Sequence, residues 1–185
     1  IQTGNFDDDF EKIGDCDWVI EVVIERLDIK KQIFEKVDKY RKAGSLVTSN
    51  TSGIPIHLMT DGRSDDFKAH FCGTHFFNPP RYMRLLEIVP CRETDPAVVD
   101  ALAAFISLWL GKGIVHAKDT ANFIANRIGV YSIYKGIEHM VAMGMTVEEV
   151  DAIAGPATGR PKSAGFRTAD LVGIDTLIHV GNNSY

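Results

Sequence analysis

Three polar clusters in the 185 residues have side chains suited to moving protons and holding an oxygen. The first, Thr48-Ser-Asn-Thr-Ser-Gly53, follows an apolar, β-branched run and precedes an apparent helix from Ile54 to Met59. Open α/β sheets bind ligands outside the carboxyl ends of their strands, so a turn of hydroxyls and an amide there is a candidate ligand contact. A polar turn that caps a helix explains the same residues. The second cluster is His75-Phe-Phe-Asn-Pro-Pro80, with Glu87 following inside Leu85-Leu-Glu-Ile-Val89. The apolar neighbours would bury Glu87, and a buried carboxylate needs a partner. An imidazole is one such partner. A carboxylate that accepts the proton of one ring nitrogen fixes the tautomer and leaves the other nitrogen free for acid/base work. The competing readings are a hydrogen-bonded core histidine and a salt bridge from Glu87 to Arg84 or Arg81. The third cluster is Asp119-Thr-Ala-Asn-Phe-Ile-Ala-Asn126-Arg127. Asn126, about one turn into a long helix, either holds a ligand oxygen or lies on the helix surface.

Other chemistries find little support. There is no Gly-x-Ser-x-Gly elbow, and Cys16, Cys72 and Cys91 lie in no evident electropositive, paired setting. Three scattered cysteines form neither a disulfide framework nor a metal knuckle, which favours a reducing, cytoplasmic compartment. His70 and His75, five apart on what reads as one strand, face opposite ways, so they make no metal pair and no metal site is expected. Gly111-Lys-Gly113 precedes a strand and lacks a third glycine, so it reads as a helix terminator and not as a dinucleotide fingerprint.

The elements that must position these clusters follow two periods. Apolar, β-branched runs recur at Trp18 to Ile24, Ser45 to Thr48, Phe71 to Phe77, Leu85 to Val89 and Gly113 to His116. Leu27 to Lys42 places Ile29, Ile33 and Val37 on one stripe of an otherwise charged helix, with Phe34 beside them. A second helix is capped by Asp95, starts on Pro96 and ends at Gly111, with Val98, Leu102, Phe105, Ile106 and Trp109 at helical spacing. Its length favours a parallel crossover between the strands it joins. Beyond Asp119 the strand signal stops. Phe123 to Met143 reads as one helix, with Ile124, Ile128, Tyr131 and Ile137 toward a common side and Gly144 ending it. Thr146 and Glu149 form a capping box for a helix through about Ala154, Gly155 to Gly165 is loop, and a last helix spans Thr168 to Val180. The order is an α/β part followed by an all-helical part, with the boundary between Lys118 and Ala121 and the domains drawn as 1–118 and 119–185.

Composition narrows the function. With 45% hydrophobic and 24% charged residues the chain is globular, and its length buries roughly 70% of the unfolded surface. The net charge of −5 is spread over both parts, without the basic stripe of a nucleic-acid binder. No apolar run approaches the roughly 18 to 20 residues of a membrane span, and no export signal is visible. The chain opens on Ile1, in what reads as a strand, and so is expected to be a piece of something longer.

Taken together the motifs resemble the L-3-hydroxyacyl-CoA dehydrogenase family. The resemblance is carried by Ser49-Asn-Thr-Ser52, by His75-Phe-Phe-Asn-Pro79 with Leu86-Glu-Ile88, by Lys118-Asp-Thr120 with Phe123-Ile-Ala-Asn-Arg127, and by Asp170-Leu-Val-Gly-Ile-Asp-Thr176. Asn78-Pro-Pro-Arg-Tyr-Met83 and Thr158-Gly-Arg-Pro161 look most like the bacterial or archaeal multifunctional fatty-acid-oxidation proteins. The resemblance implies part of a Rossmann-type NAD-binding domain, a parallel sheet with flanking helices, followed by a helical C-terminal domain. It implies oxidation of the 3-hydroxyl of an (S)-3-hydroxyacyl-CoA to a ketone, with hydride passing to NAD+. Position by position, His75 matches the base and Glu87 the carboxylate that orients it. Ser52 and Asn126 match positions that bind the substrate oxygen, and Ser52 also lies near the nicotinamide. Glu25, Lys30, Asn50 and Asn78 match positions around the NAD cofactor, with Lys30 placed to meet the CoA as well. The partners implied are an acyl-CoA, a second copy through the helical domain, and in the longer protein a fused enoyl-CoA hydratase.

Two departures qualify the resemblance. The Gly-x-Gly-x-x-Gly turn, the first strands and the acidic residue that reads the ribose do not occur in these residues, and Ala121-Asn122 stands where the family usually has proline. The expectation is therefore a catalytic remnant, inactive alone. Two alternatives stay open: a lambda-crystallin or gulonate-type dehydrogenase, against which Phe76 and Phe77 argue, and a non-catalytic assembly module built on exposed apolar surface.

Overall fold

The five apolar runs become the five strands of one sheet: β1 (Trp18–Glu21), β2 (Leu46–Ser49), β3 (Phe71–Phe76), β4 (Leu85–Pro90) and β5 (Gly113–His116). They lie side by side in chain order. The structure, a computed structural model, describes residues 1–160 and 162–182 and divides into two units, Ile1–Phe123 and Ile124–Tyr185. Pro161 of the Thr158-Gly-Arg-Pro161 motif and the side chains of Thr176 and Val180 lie outside the described residues.

Connection length sets the sheet's directions. Helix α1 (Leu27–Tyr40) carries the chain from β1 to a parallel β2, and the segment holding short helix α2 (Asp65–Ala69) carries it to a parallel β3. Only 77–84 separates β3 from β4, too short for a crossover, so β4 runs antiparallel to β3. Helix α3 (Pro96–Leu110) restores a parallel pair with β5. The sheet is therefore mostly parallel with flanking helices, as expected, and the one antiparallel seam lies between β3 and β4.

Each sheet face carries its own core. One packs Phe34 and Val37 of α1 and Phe67 of α2 on Val47, Phe71 and Val89, and Phe34, Phe67 and Phe71 lie within 5.1–5.7 Å ring to ring. The other packs Val99, Leu102 and Ile106 of α3 on Cys72, Leu86 and Ile88. Asp95 caps α3 as expected and Gly111 ends it at φ 62°, a left-handed conformation that glycine adopts without penalty. Trp109 is 73% exposed, so the stripe α3 buries is narrower than the spacing predicts.

The first strand begins only at Trp18, after irregular residues and a 3-10 turn at Phe10–Asp15, and not at Ile1. Ile54 to Met59 is a 3-10 turn over Ile56–Met59. His70 does not lie on a strand; it ends α2 and donates from Nδ1 to the Asp66 carbonyl at 2.8 Å, so the alternation argument does not apply to it. In the second unit, α4 (Ala125–Met143) ends at Gly144, and α5 (Val147–Ile153) starts on the expected capping box. The expected last helix is two, α6 (Phe166–Val172) and α7 (Ile174–Asn182), because Gly173 at φ 104° breaks it. Ile128 and Tyr131 of α4 are exposed.

Candidate active site

The seam between β3 and β4 sets His75 directly opposite Glu87. Both side chains point to the face that holds the aromatic core, since Phe71, Gly73 and His75 alternate with residues of the other face. His75 Nδ1 lies 2.7 Å from Glu87 Oε2, and both residues are buried. A carboxylate is an acceptor, so Nδ1 carries the proton and Nε2 is the nitrogen that can accept another. The rings of Phe77 and Phe123 stand edge-on to the imidazole, their centroids 4.4 and 5.5 Å away. Arg81 and Arg84 are both exposed, and Glu87 forms an ion pair with His75.

A second network lies where β1 and β2 end, on the same edge of the sheet as the end of β3. Lys30, only 1% exposed, donates to Glu21 Oε1 at 2.8 Å and to the Val23 carbonyl at 3.2 Å, and lies 3.2 Å from Glu25 Oε2. Ser49 Oγ donates to Glu21 Oε2 at 2.5 Å. The other Glu25 oxygen collects the Thr51 hydroxyl and the amides of Ser52 and Gly53, at 3.1 and 2.9 Å. Burial would raise the Glu25 carboxyl, but the Thr51 hydroxyl, the Gly53 amide, the Lys30 charge and the Ser52 amide outweigh it and hold it below its ordinary range. Asn50 Oδ1 accepts from the Phe76 amide at 2.9 Å, which ties this turn to the strand end just past His75.

The expected site residues therefore fall into groups. His75 with Glu87 form one, and Glu25, Lys30, Asn50 and Ser52 form the other, joined by Asn50. Asn78 is exposed, at the cis peptide Asn78-Pro79 in the turn after β3. Asn126 lies in the first turn of α4, in the second unit. Glu21 and Lys112 were missed, and Asp119, which opens the third cluster, was given no role of its own. Glu21 is a carboxylate inside an apolar strand, and the reasoning applied to Glu87 would have found it. Lys112, 9% exposed, donates to the carbonyls of Pro80 and, at 2.7 Å, of Met83, holding the turn after His75. Asp119 accepts the amides of Ile56 and His57. No local signal announces the last two, whose partners lie about 30 and 60 residues away. Among the described residues no three His, Cys, Asp or Glu side chains are grouped to hold a metal. No described helix is long and apolar enough to cross a membrane.

Residues 1–120 match the 3-hydroxyacyl-CoA dehydrogenase NAD-binding domain and residues 123–185 match the C-terminal domain of the same enzymes. The chain belongs to the 3-hydroxyacyl-CoA dehydrogenase family. A probable 3-hydroxyacyl-CoA dehydrogenase of Bacillus subtilis is 58% identical over the whole chain, which spans 23% of that protein. A putative fatty acid oxidation complex trifunctional enzyme of Rickettsia felis is 37% identical over 96% of the chain, which spans 25% of it. The crystal structure of M. tuberculosis FadB2 superposes with a TM-score of 0.87 at 32% identity, covering 95% of this chain and 61% of that one. The chain thus spans about a quarter of the length of these two relatives.

An ionised, partly exposed Glu25 suits the hydroxyls of a ribose, and the side-chain amide of Asn50 suits a carboxamide. These residues fit the nicotinamide and ribose end of the dinucleotide. Among the described residues no glycine-rich turn fits the pyrophosphate; Gly111 and Gly113 only end α3 and begin β5.

Proposed function

We propose that the protein to which this chain belongs oxidises an (S)-3-hydroxyacyl-CoA to the 3-ketoacyl-CoA, and that His75 is its base. The observation that carries the reading is the buried His75–Glu87 pair at 2.7 Å, at the sheet edge where ligands of open α/β folds bind. Nε2 of His75 takes the proton of the 3-hydroxyl as the carbon–oxygen bond becomes a carbonyl. Glu87 stays ionised, holds the tautomer and balances the charge of the imidazolium. A positioned base of this kind contributes about 10²- to 10⁴-fold. Ser52 holds the substrate oxygen, and Glu25, Asn50, Ser52 and Asn78 border the nicotinamide end of NAD. Bound NAD+ supplies the hydride acceptor. Lys30 belongs to the support of this group and not to the CoA contact carried over from the family, since its ammonium is buried among Glu21, Glu25 and the Val23 carbonyl.

The relative described as a fatty acid oxidation complex trifunctional enzyme supports a longer protein in which other activities are fused to the dehydrogenase, with an enoyl-CoA hydratase as the proposed one, and the helical unit is the proposed surface for a second copy. The test is reduction of acetoacetyl-CoA followed through NADH absorbance. It compares this chain, a longer form that carries the family's glycine-rich turn, and that form with His75→Gln. Turnover in the longer form that disappears with His75→Gln supports the reading. No turnover in the longer form overturns it.

A further inference from the structure

Asp119 makes contacts that a simple turn does not require. Its Oδ1 accepts the Ile56 amide at 2.7 Å, and its Oδ2 accepts the His57 amide at 3.0 Å and faces His57 Nδ1 at 2.5 Å. One carboxylate thus holds the segment that follows the Ser52 turn from about 60 residues away.

One of the two segments it joins covers β3 two residues before His75, and the other packs on the imidazole itself. On one side, Ile56 is fully buried and lies so close over Gly73 that a Cβ there would stand 2.8 Å from Ile56 Cδ1. Gly73 and His75 are two apart on β3 and share a face, so the segment held by Asp119 covers the strand just before the imidazole. On the other side, the chain runs from Asp119 to Phe123, whose ring stands edge-on to His75 at 5.5 Å. Asn122 and Phe123 are buried at φ 61° and 47°, in the left-handed region. A phenylalanine persists there only where its surroundings over-determine it. The Asp119 anchor four residues earlier, with Phe123 N donating to Thr120 O at 3.0 Å, fixes the approach to that strained pair.

We propose that Asp119 is a positioning residue for His75: it ties the segment packed over Gly73 to the segment that carries Phe123, and so sets where the imidazole sits. This rests on the reading of His75 as base, but its test does not pass through activity. Asp119→Ala and the isosteric Asp119→Asn are compared with the unaltered chain by amide hydrogen exchange and by NMR of the His75 and Phe123 rings. The Ile56 and His57 amides should exchange faster, on the order of tenfold for a lost hydrogen bond. The His75 and Phe123 ring signals should shift, while amides of β1 and β2 keep their protection.

If the two amides lose protection and the His75 ring signals stay in place, Asp119 is a local cap and the proposal fails. Should Asp119→Ala not fold, Asp119→Asn, which keeps one acceptor oxygen, carries the same reading. Loss of the whole fold in Asp119→Asn as well assigns Asp119 to the core and also overturns the proposal. Failure of the dehydrogenase reading would appear only in the acetoacetyl-CoA assay, so the two failures are distinguishable.

Discussion

His75 and Glu87 are cross-strand neighbours at the point where the sheet changes direction, paired in register between β3 and the antiparallel β4, with Nδ1 and Oε2 2.7 Å apart. In a parallel pair of strands the chain would need a crossover of a dozen or more residues between them. The eight-residue turn 77–84 allows an antiparallel neighbour instead, and it brings a base and its carboxylate together from positions twelve apart in sequence.

The pair should act as a unit. Glu87→Gln keeps the side chain's size but removes the charge that stabilises an imidazolium and permits the wrong tautomer. In a form competent to bind NAD, we expect kcat with acetoacetyl-CoA to fall about 10²- to 10⁴-fold for either Glu87→Gln or His75→Gln. The double variant should cost little more than either alone, because groups that act together are not additive. Equal additivity in steady-state kinetics would separate the two residues.

Glu25 predicts an acid limb in the stability of the first unit. Its folded carboxyl is held below the ordinary value of 4.5, so the unfolded chain takes up the proton first. The stabilisation is complete above that ordinary value and is lost as pH falls through the lower folded one. Thermal unfolding followed from neutral pH into acid should therefore show a flatter acid decline for Glu25→Gln than for the parent. Lys30→Met should move the decline toward higher pH, since it removes a charge that lowers Glu25. An unchanged acid limb in both would show that the carboxyl titrates normally.

Thiol chemistry should divide the cysteines sharply. Cys72 and Cys91 are buried, and burial pushes each thiol up to about 12. Cys16 is exposed. A thiolate-directed reagent at neutral pH should label Cys16 alone in the folded chain and all three cysteines in denaturant, read by mass spectrometry. Rapid labelling of Cys72 without denaturant would mean that the β3 region opens readily.

What the sequence disclosed depended on how local the signal is. Strand runs, the Asp95 and Thr146 caps and the stop at Gly144 are written in adjacent residues, and they appear where expected. Glu87 was legible because a carboxylate in an apolar strand poses a question that a nearby histidine answers. The break at Gly173 was not, because an isolated glycine inside a helical pattern is often tolerated. Nor were Asp119 and Lys112, whose polar side chains sit among ordinary polar neighbours and acquire meaning only when distant backbone comes to them. The direction of β4 against β3 was not assigned from sequence; it follows from the short connection 77–84, which leaves no room for a crossover.

Lys112 allows a test of how firmly the turn after His75 is held. Its ammonium is nearly buried, and among the described residues its hydrogen bonds run to the carbonyls of Pro80 and Met83, with the Phe76 ring 6.0 Å away. Lys112→Met fills a similar volume and leaves two carbonyls without their charged donor, a loss of about 1 to 3 kcal/mol if they stay buried. The turn 80–83 is exposed, however, so these carbonyls can turn to water, and the smaller cost favours release of the turn over unfolding. Lys112→Met should thus speed proteolysis and hydrogen exchange within 77–84 and leave the melting temperature within a few degrees of the parent. Lys112→Arg, with a longer and planar donor, should not restore the parent's protection fully. A large fall in melting temperature, with no selective exposure of 77–84, would instead make Lys112 a support of the α3–β5 junction.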